Sequence, residues 1–156
     1  MNMPFAGLLA HGTKTIESRN HTMFAGTAGT YALLHVGQRT YPDGGKHRAI
    51  LSRTGLSESE IDRLTQLPDG FGRGNVVAIL ELGDTRLAPL EERSTDEIQS
   101  AVCAYGSDMG KHLTTVVRAA WLREAVPNVR GRPGLWETTV PRSVIPDGWS
   151  LSQPAS

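Results

Sequence analysis

Three charged residues, Lys14, Glu17 and Arg19, lie within six positions of one another directly after Gly12. In an extended strand Glu17 and Arg19 project to the same face, so that face carries charge rather than core side chains. A carboxylate can activate water, and a cation beside it can stabilise a developing oxyanion. Glu17 is the candidate base, Lys14 the candidate that stabilises the oxyanion or moves protons, and Arg19 a substrate-binding candidate. The alternative is a solvated edge with an ordinary ion pair.

A second carboxylate, Glu81, lies near the end of the most apolar strand-like run of the chain. It is a candidate catalytic residue that holds Lys14 or accepts a hydrogen bond from a substrate amino group. A carboxylate that faces water at the end of a strand is the alternative. Thr15 borders Lys14 and is a minor candidate for nucleophile or substrate contact, without the adjacent histidine of a serine-hydrolase triad.

Phe5, Tyr31 and Trp136 are candidate substrate-binding residues, because an aromatic side chain can stack on the face of any nucleobase. Aromatic residues make up only 6% of the chain, so core packing is the alternative for each of the three. Arg130 and Arg132 lie two positions apart in a glycine-containing stretch. They are candidates for contact with a phosphate, or they belong to a solvated loop.

The histidines and the single cysteine argue against a metal site. No pair of the five histidines has ligand spacing, and no Cys or Asp cluster lies beside one. Cys103 cannot form an intramolecular disulfide, which fits a reducing compartment. The chain shows no secretory signal and no apolar run of the ~18 residues that span a bilayer. We therefore expect a cytoplasmic protein with no metal, no cofactor and no membrane contact.

Turn residues divide the chain into short segments of strand or helix character. Capping boxes at Ser57 with Glu60 and at Ser94 with Glu97 begin two helices, and Gly83-Asp84 is expected to end the central strand. The order mixes hairpins with helical connections, which predicts an α+β fold with a small, partly open, mixed β-barrel and two to three peripheral helices. We expect strands at 15–19, 29–36, 76–82, 114–125 and 135–140, helices at 4–11, 57–65 and 94–104, and irregular chain at 38–52.

Length and charge limit the organisation and the partners. The chain has 156 residues, which is typical of one domain, and we expect that domain to span 1–149 with a disordered tail at 150–156. Lys plus Arg and Asp plus Glu number 16 each, so no overall positive field gathers a long polyanion. A small ligand, or a single unpaired base, fits this balance better than a nucleic-acid duplex.

The motif Gly12-x-Lys14-x-x-Glu17-x-Arg19, preceded by Pro4-Phe5-Ala6, resembles the signature of the ASCH domain, a relative of the PUA RNA-binding barrel. Three further segments match in the same order. The segment 71–85 resembles the central strand of the EOLA-like branch of that family. Trp121-Leu122, and then 131–136 leading to Ile145-Pro146, resemble its closing strands.

The resemblance implies a PUA-like barrel in which the charged motif lines a cleft for a nucleobase or nucleotide. A bacterial branch of the family hydrolyses the amide of N4-acetylcytidine, while other members bind RNA, cleave RNA or act as coactivator modules. The catalytic motif lysine of that branch corresponds to Lys14, and its motif arginine corresponds to Arg19. Its threonine corresponds to Glu17, so a covalent threonine mechanism is not carried over.

These observations lead to one expected activity and two alternatives. We expect an amidohydrolase that removes N4-acyl groups from cytosine nucleosides, with Lys14 and Glu17 central. The alternatives are a non-catalytic module that binds single-stranded RNA and a metal-independent ribonuclease. A strand usually precedes this helix in the family, and only three residues precede Pro4 here, so either the barrel tolerates an open edge or the chain begins late. An uncovered sheet edge favours pairing with another copy, which leaves both a monomer and a homodimer open.

Overall fold

The computed structural model describes residues 1–149, and the expected tail at 150–156 lies outside the described residues. It has an α+β fold, as expected, in which helices surround one antiparallel sheet. The strands are β1 (Ile16–Arg19), β2 (Tyr31–His35), β3 (Val76–Leu87) and β4 (His112–Val126); the helices are α1 (Phe5–Ala10), α2 (Lys46–Arg53), α3 (Glu58–Leu64), α4 (Leu90–Arg93) and α5 (Asp96–Val102), followed by a 3-10 turn at Arg142–Val144.

The four strands lie in the order β1-β4-β3-β2, and every neighbouring pair is antiparallel. The two long strands, β3 and β4, occupy the centre, and the two short strands lie at the edges. The sheet of the described residues is not closed into a barrel, so β1 and β2 each present one free edge. Both edges matter for the site described below, because each borders the same cleft.

Two local signals act as the sequence predicts. The α1 helix ends before Gly12, whose φ of +81° is the left-handed conformation that glycine adopts without strain. Ser57 caps α3, and its side chain accepts a hydrogen bond from the backbone N–H of Glu60 at 3.2 Å. These ends depend on residues within one turn of the helix, which is why the sequence alone predicts them.

The prediction that Gly83-Asp84 ends the central strand is wrong, because β3 continues to Leu87. A Cβ atom at Gly83 would meet the side chains of Thr115 and Val117 on β4 at 3.2 Å. The glycine therefore permits close approach of two strands instead of making a turn. Register shifts between Leu82 and Thr85 absorb the irregularity, as β-bulges do.

The helix expected from Ser94 begins one residue later. Thr95 is the N-cap of α5, and its side chain accepts a hydrogen bond from Ile98 N–H at 3.3 Å. Ser94 is instead the C-cap of α4, a four-residue helix that the sequence analysis missed. The α5 helix ends at Cys103, which adopts the left-handed conformation with φ +61°, before the expected end at Ala104.

Two other expectations about secondary structure also fail. The stretch 38–52 is not wholly irregular, because α2 begins at Lys46 after the Asp43 carboxylate accepts hydrogen bonds from Gly45 and His47 N–H. The segment 135–140 is not a strand and runs along the cleft without regular structure. Its apolar residues therefore lie along the cleft, and the segment does not pair with a strand of the sheet.

The sheet carries apolar side chains on both faces. Leu80 and Leu82 belong to the face that packs under α1, in a cluster with Leu9. Ile79 belongs to the opposite face, in a cluster with Trp149. Burial on both faces explains why the start of β3 is apolar at every position instead of alternating. Within residues 1–149, no helix has the length and apolar character needed to cross a membrane.

Candidate functional site

A cleft of about 1210 Å³ lies between the two edges of the sheet. Glu17, Ser18 and Arg19 line it from β1, and the whole of β2 lines it from the other edge. The irregular segment 132–140 forms a third wall. Since the strands are the first and last of one sheet, the sheet must curve so that both edges border the same space.

The Lys14 side chain is buried at the floor of this cleft, with 3% of it exposed. Its Nζ atom donates hydrogen bonds to the carbonyl oxygens of Ile16 and Val102, each at 2.7 Å. The same atom lies 3.7 Å from Glu17 Oε1 and 5.6 Å from the centre of the Phe5 ring. The ammonium group is therefore held by two carbonyls, one carboxylate and one aromatic face.

The Glu17 carboxylate lies between two cations. Its Oε1 atom faces Lys14 and accepts a hydrogen bond from Ser18 N–H at 2.9 Å. Its Oε2 atom lies 3.5 Å from Arg19 Nη2. Only 12% of the side chain is exposed, so this charge is largely removed from water. A carboxylate fixed in this way is oriented toward one small volume of the cleft.

The spacing of the motif has a structural cause at the outer edge of β1. The carbonyl of Thr15 accepts a hydrogen bond from Val116 N–H, so that position faces β4. Alternation along an antiparallel strand then turns the backbone groups of Ile16 and Ser18 outward. Lys14 binds the Ile16 carbonyl and Glu17 binds the Ser18 N–H. The two side chains thus bind one outward group each of Ile16 and Ser18, on the strand that carries the motif.

Arg19 is the member of the motif with unused hydrogen-bond donors. Its side chain is 37% exposed and lines the cleft. Its Nε atom is buried and has no hydrogen-bond partner within residues 1–149. A buried donor without an acceptor is costly, and a bound oxygen atom at this position would satisfy it. Arg19 is therefore the motif residue best placed to contact a ligand directly.

Burial lowers the pKa of the Met1 amino group, and the positive charge of Arg19 lowers it further, while Glu17 raises it. The Met1 nitrogen donates a hydrogen bond to the His35 carbonyl at 2.7 Å, at the edge of β2. These contacts bring the Met1 end of the chain to the same cleft as the charged motif. The cleft thus has a cationic wall next to the Glu17 carboxylate.

The structure places the three predicted aromatic residues at the cleft in different ways. Phe5 lies against Lys14, and Trp136 lies on the segment 132–140 with its ring 5.6 Å from that of His35. Tyr31 borders the cleft, but its hydroxyl oxygen accepts a hydrogen bond from Arg118 at 2.8 Å. Of the three predicted residues, Phe5 and Trp136 are therefore the ones without a hydrogen-bonded polar group at the cleft; Phe24 and Tyr41, which the sequence did not single out, line it as well.

Glu81 is not brought to Lys14. It is the register partner of Tyr31 and Arg118 and shares the face of Ile79, opposite to the face of Leu80. Its carboxylate lies 3.7 Å from Arg118 Nε, in an exposed ion pair. The alternation of side chains along β3 thus separates the two carboxylates that the sequence analysis placed in one site.

Thr15 and Arg130 are also absent from the residues that line the cleft, and both are exposed. Arg132, the alternative cation of the same stretch, does line it. The sequence cannot show which of the two arginines lines the cleft, because they are the same residue type and lie two positions apart in an irregular segment. The structure therefore replaces Arg130 by Arg132 at the cleft wall.

A second polar group at the cleft was missed by the sequence analysis. Asp43, Lys46 and Asp108 line the cleft, and Lys46 Nζ lies 3.0 Å from Asp108 Oδ2. The ion pair with Asp108 raises the pKa of Lys46. His47 Nδ1 lies 2.7 Å from Asp43 Oδ2. The sequence signal for this group is Asp43 four positions before His47, with Asp43 just ahead of α2 and His47 in its first turn.

Burial by itself would raise the pKa of the Asp43 carboxyl, but hydrogen bonds from His47 and Gly45 outweigh it and hold the pKa below its ordinary value of 3.8.

No three His, Cys, Asp or Glu side chains of the described part of the chain are gathered in a group that could hold a metal ion. No protein-family model matches the chain.

Proposed function

We propose that the protein is an ASCH-type amidohydrolase that removes acyl groups from the exocyclic N4 of cytosine nucleosides. One observation carries the proposal: the Glu17 carboxylate lies between Lys14 and Arg19 on the floor of a cleft large enough for a nucleoside. The order of the motifs along the chain, which resembles the EOLA-like branch of the family, supports the choice of substrate.

Each residue of the motif has a different role in amide hydrolysis. Glu17 takes a proton from a water molecule, whose oxygen attacks the acyl carbonyl carbon. Arg19, with its free donors, stabilises the oxyanion that forms on the carbonyl oxygen. Glu17 then gives the proton to N4 as the C–N bond breaks, which yields a cytosine nucleoside and a carboxylic acid. Lys14 acts as a positioning residue, because its donors are held by backbone carbonyls and by Glu17.

We further propose that the sheet is the core of a PUA-like barrel. The support is that β1 and β2, the two edges, border one cleft, as they would in a sheet that curves toward closure. In this arrangement the substrate enters the gap between the edge strands. Because the charged motif lies on β1, it then borders this gap.

Turnover of N4-acetylcytidine, followed by its ultraviolet change to cytidine, tests the proposal. We expect Glu17→Gln to lower kcat by at least about a hundredfold, since it removes the base while keeping the shape of the side chain. Glu81→Gln is the matched control, because Glu81 lies on the opposite face of the sheet, and it should keep the wild-type rate. Absence of turnover by the wild type, or an unchanged rate in Glu17→Gln, would refute the proposal.

A second candidate function is the binding of one unpaired base of single-stranded RNA without catalysis. It is favoured by the burial of Lys14, whose ammonium group donates two of its three N–H groups to backbone carbonyls and is paired in charge with Glu17. This function predicts RNA binding that weakens steeply with salt, because phosphate contacts release counterions. Titration of the protein with unstructured RNA at several salt concentrations, beside the turnover assay, separates the two functions.

A further inference from the structure

The second edge of the sheet, the outer side of β2, differs from the edge of β1 in its hydrogen bonding. The Thr30 carbonyl accepts a hydrogen bond from Leu82 N–H, and Val36 N–H donates to the Asn75 carbonyl, so both positions face β3. The His35 carbonyl accepts from the Met1 nitrogen and therefore faces away from β3.

Backbone groups alternate in direction along an antiparallel edge strand. The N–H and C=O groups of Tyr31 and Leu33 therefore point outward, as those of His35 do, while Ala32 and Leu34 bond to β3. Within residues 1–149 no side chain or backbone group bonds to these outward groups of Tyr31 and Leu33. Both residues border the cleft.

The contrast between the two edges is chemical. At β1 the outward carbonyl of Ile16 and the outward N–H of Ser18 are already bound by Lys14 and Glu17. At β2 the outward donors and acceptors of Tyr31 and Leu33 meet the cleft with no protein partner in the described chain. The cleft thus has one edge at which charged side chains bind one outward group each of Ile16 and Ser18, and one edge at which Tyr31 and Leu33 have no such partner in the described chain.

We propose that this open edge of β2, at Tyr31 and Leu33, recognises the base of the substrate through backbone hydrogen bonds. An outward residue presents an N–H donor and a C=O acceptor side by side. Cytosine presents the complement, because its N3 is an acceptor and its N4–H is a donor in the neighbouring position. The inference deepens the proposed function by naming how a cytosine-type base is held.

The geometry of N4-acylation is compatible with this pairing. The nitrogen of an N4-acylated cytosine keeps one hydrogen, which can lie on the N3 side and donate to a carbonyl of β2. The acyl group then points to the other side of N4, away from the strand. In the cleft, that leaves the acyl group free to meet the charged motif on the opposite edge.

The length of the open edge favours a base over an extended peptide. Among the described residues, Tyr31 and Leu33 are the outward positions of β2 with both backbone groups unbound, since the His35 carbonyl is bound by Met1. A peptide that binds by strand addition pairs with a longer row of backbone groups than this edge offers, and β2 has only five residues. The segment 132–140, with Trp136, also stands in the same cleft and offers an aromatic face to a planar ligand.

Amide hydrogen exchange measured by NMR with cytidine, the reaction product, tests the inference. In the free protein, the amides of Tyr31 and Leu33 should exchange fast, and those of Ala32 and Leu34 slowly. Saturating cytidine should slow exchange at Leu33 or Tyr31 by at least about tenfold, because an amide bonded to a ligand must first be released. Ala32 and Leu34, bonded to β3 in both states, are the internal controls.

A variant adds an independent readout. Leu33→Pro removes one outward N–H without removing a bond to β3, which an edge strand tolerates. We expect its Kd for cytidine to rise by about five- to tenfold, the value of one hydrogen bond. Leu33→Val keeps the N–H and should bind as the wild type does. Far-ultraviolet circular dichroism of both variants shows whether the strand is intact.

The outcomes separate the inference from the proposed activity. Protection of Leu33 or Tyr31 by cytidine without turnover of N4-acetylcytidine supports the inference and refutes the activity. Turnover with both amides unprotected supports the activity and refutes the inference. The inference is also refuted if cytidine does not bind, or if only an added peptide protects the amides of Tyr31 and Leu33 from exchange.

Discussion

Lys14 is a buried cation whose bonds are made mainly with the backbone. Its Nζ atom satisfies the carbonyls of Ile16 and Val102, and the nearby Glu17 supplies the opposite charge. In the proposed reaction Lys14 is a positioning residue, and the same contacts make it part of the structure. A variant at Lys14 therefore changes stability as well as activity, and Glu17→Gln is the cleaner test of catalysis.

Replacement of Lys14 by methionine should destabilise the protein strongly. The substitution leaves two buried carbonyls and the Glu17 carboxylate without their partner, which costs about 3–5 kcal/mol for a broken buried ion pair. Urea unfolding at neutral pH measures the loss. Lys46→Met, which breaks the exposed pair with Asp108, is the control and should change stability little. Equal stability of Lys14→Met and the wild type would contradict the arrangement.

Asp43 should make folding stability depend on pH in the acidic range. The folded state holds its pKa below the ordinary value of 3.8, so it contributes stability above that pH and loses it as the pH falls through the lower, folded-state pKa. We expect Asp43→Asn to be less stable than the wild type near neutrality and to approach it as the pH falls below about 4.

Urea unfolding of both proteins between pH 7 and pH 3 checks this expectation. Asp84→Asn is the matched control, because Asp84 is exposed and none of the hydrogen bonds or ion pairs of the described chain involves its side chain. Its difference from the wild type should not vary with pH. A constant difference for Asp43→Asn over the same range would argue against the hydrogen bonds from His47 and Gly45.

At the scale of the elements, the two edge strands explain how a four-residue strand can carry a site. β1 pairs only with β4, and its register sets Glu17 opposite Thr114 and Arg19 opposite His112. At its outer edge, the Ile16 carbonyl and the Ser18 N–H are bound by side chains of the motif itself. The position of Arg19 then depends on how closely the chain after α5 approaches β1.

Gly110 is the residue that allows this approach. A Cβ atom at this position would overlap the backbone of Arg19. Gly110→Ala should therefore push β1 away from its neighbour, destabilise the protein by about 1–3 kcal/mol as overpacking does, and lower activity through Arg19. Thermal unfolding and turnover of N4-acetylcytidine measure the two effects.

Gly72→Ala is the matched control for this substitution. A Cβ atom at Gly72 would meet only the Asn75 side chain, at an ordinary contact distance of 3.6 Å. We expect stability and activity close to those of the wild type. If both alanine variants behave alike, the close approach of Gly110 to β1 does not position Arg19.

At the scale of the whole molecule, the two faces of the sheet have different tasks. The face of Leu80 packs under α1 and borders the cleft, while Ile79 on the other face packs against Trp149 at the end of the described chain. There the Arg118 guanidinium lies 3.9 Å from the centre of the Trp149 ring and donates a hydrogen bond to Tyr31. Glu81 belongs to this second face and serves the packing of the molecule.

The reactivity of Cys103 should report the opening of the whole core. The side chain is buried beside α1 and α3, and burial raises the pKa of its thiol to about 11, against a smaller opposing effect of Lys14. The thiolate is the reactive form, so the native protein should react with a maleimide at pH 8 far more slowly than the protein in urea. Mass spectrometry over time measures both rates; comparable rates would contradict the burial.

The same pKa predicts the direction of an alkaline effect. Because the thiol loses its proton more easily in the unfolded chain than in the folded one, folding stability should fall as the pH rises from about 9 toward 11. Urea unfolding at pH 8, 9 and 10 measures this trend. In Cys103→Ala the same series should decline less steeply, since the titrating group is absent.

The sequence by itself determined the features that depend on neighbouring residues. It predicted the end of α1 at Gly12 and the cap of α3 at Ser57, because both are formed within one turn of the chain. It also predicted that the motif from Lys14 to Arg19 forms one local cluster, since six consecutive positions cannot move apart. The α+β class followed from the alternation of strand and helix signals.

Only the tertiary structure decided which side of the sheet each residue faces and which groups find partners. The continuation of β3 through Gly83 depended on its contact with β4, and the separation of Glu81 from Lys14 depended on the register of the strands. Side chains alternate every second position, so residues that look adjacent in the sequence lie on opposite faces. The bonds of Lys14 and the open edge at Leu33 likewise depend on segments far away in the chain.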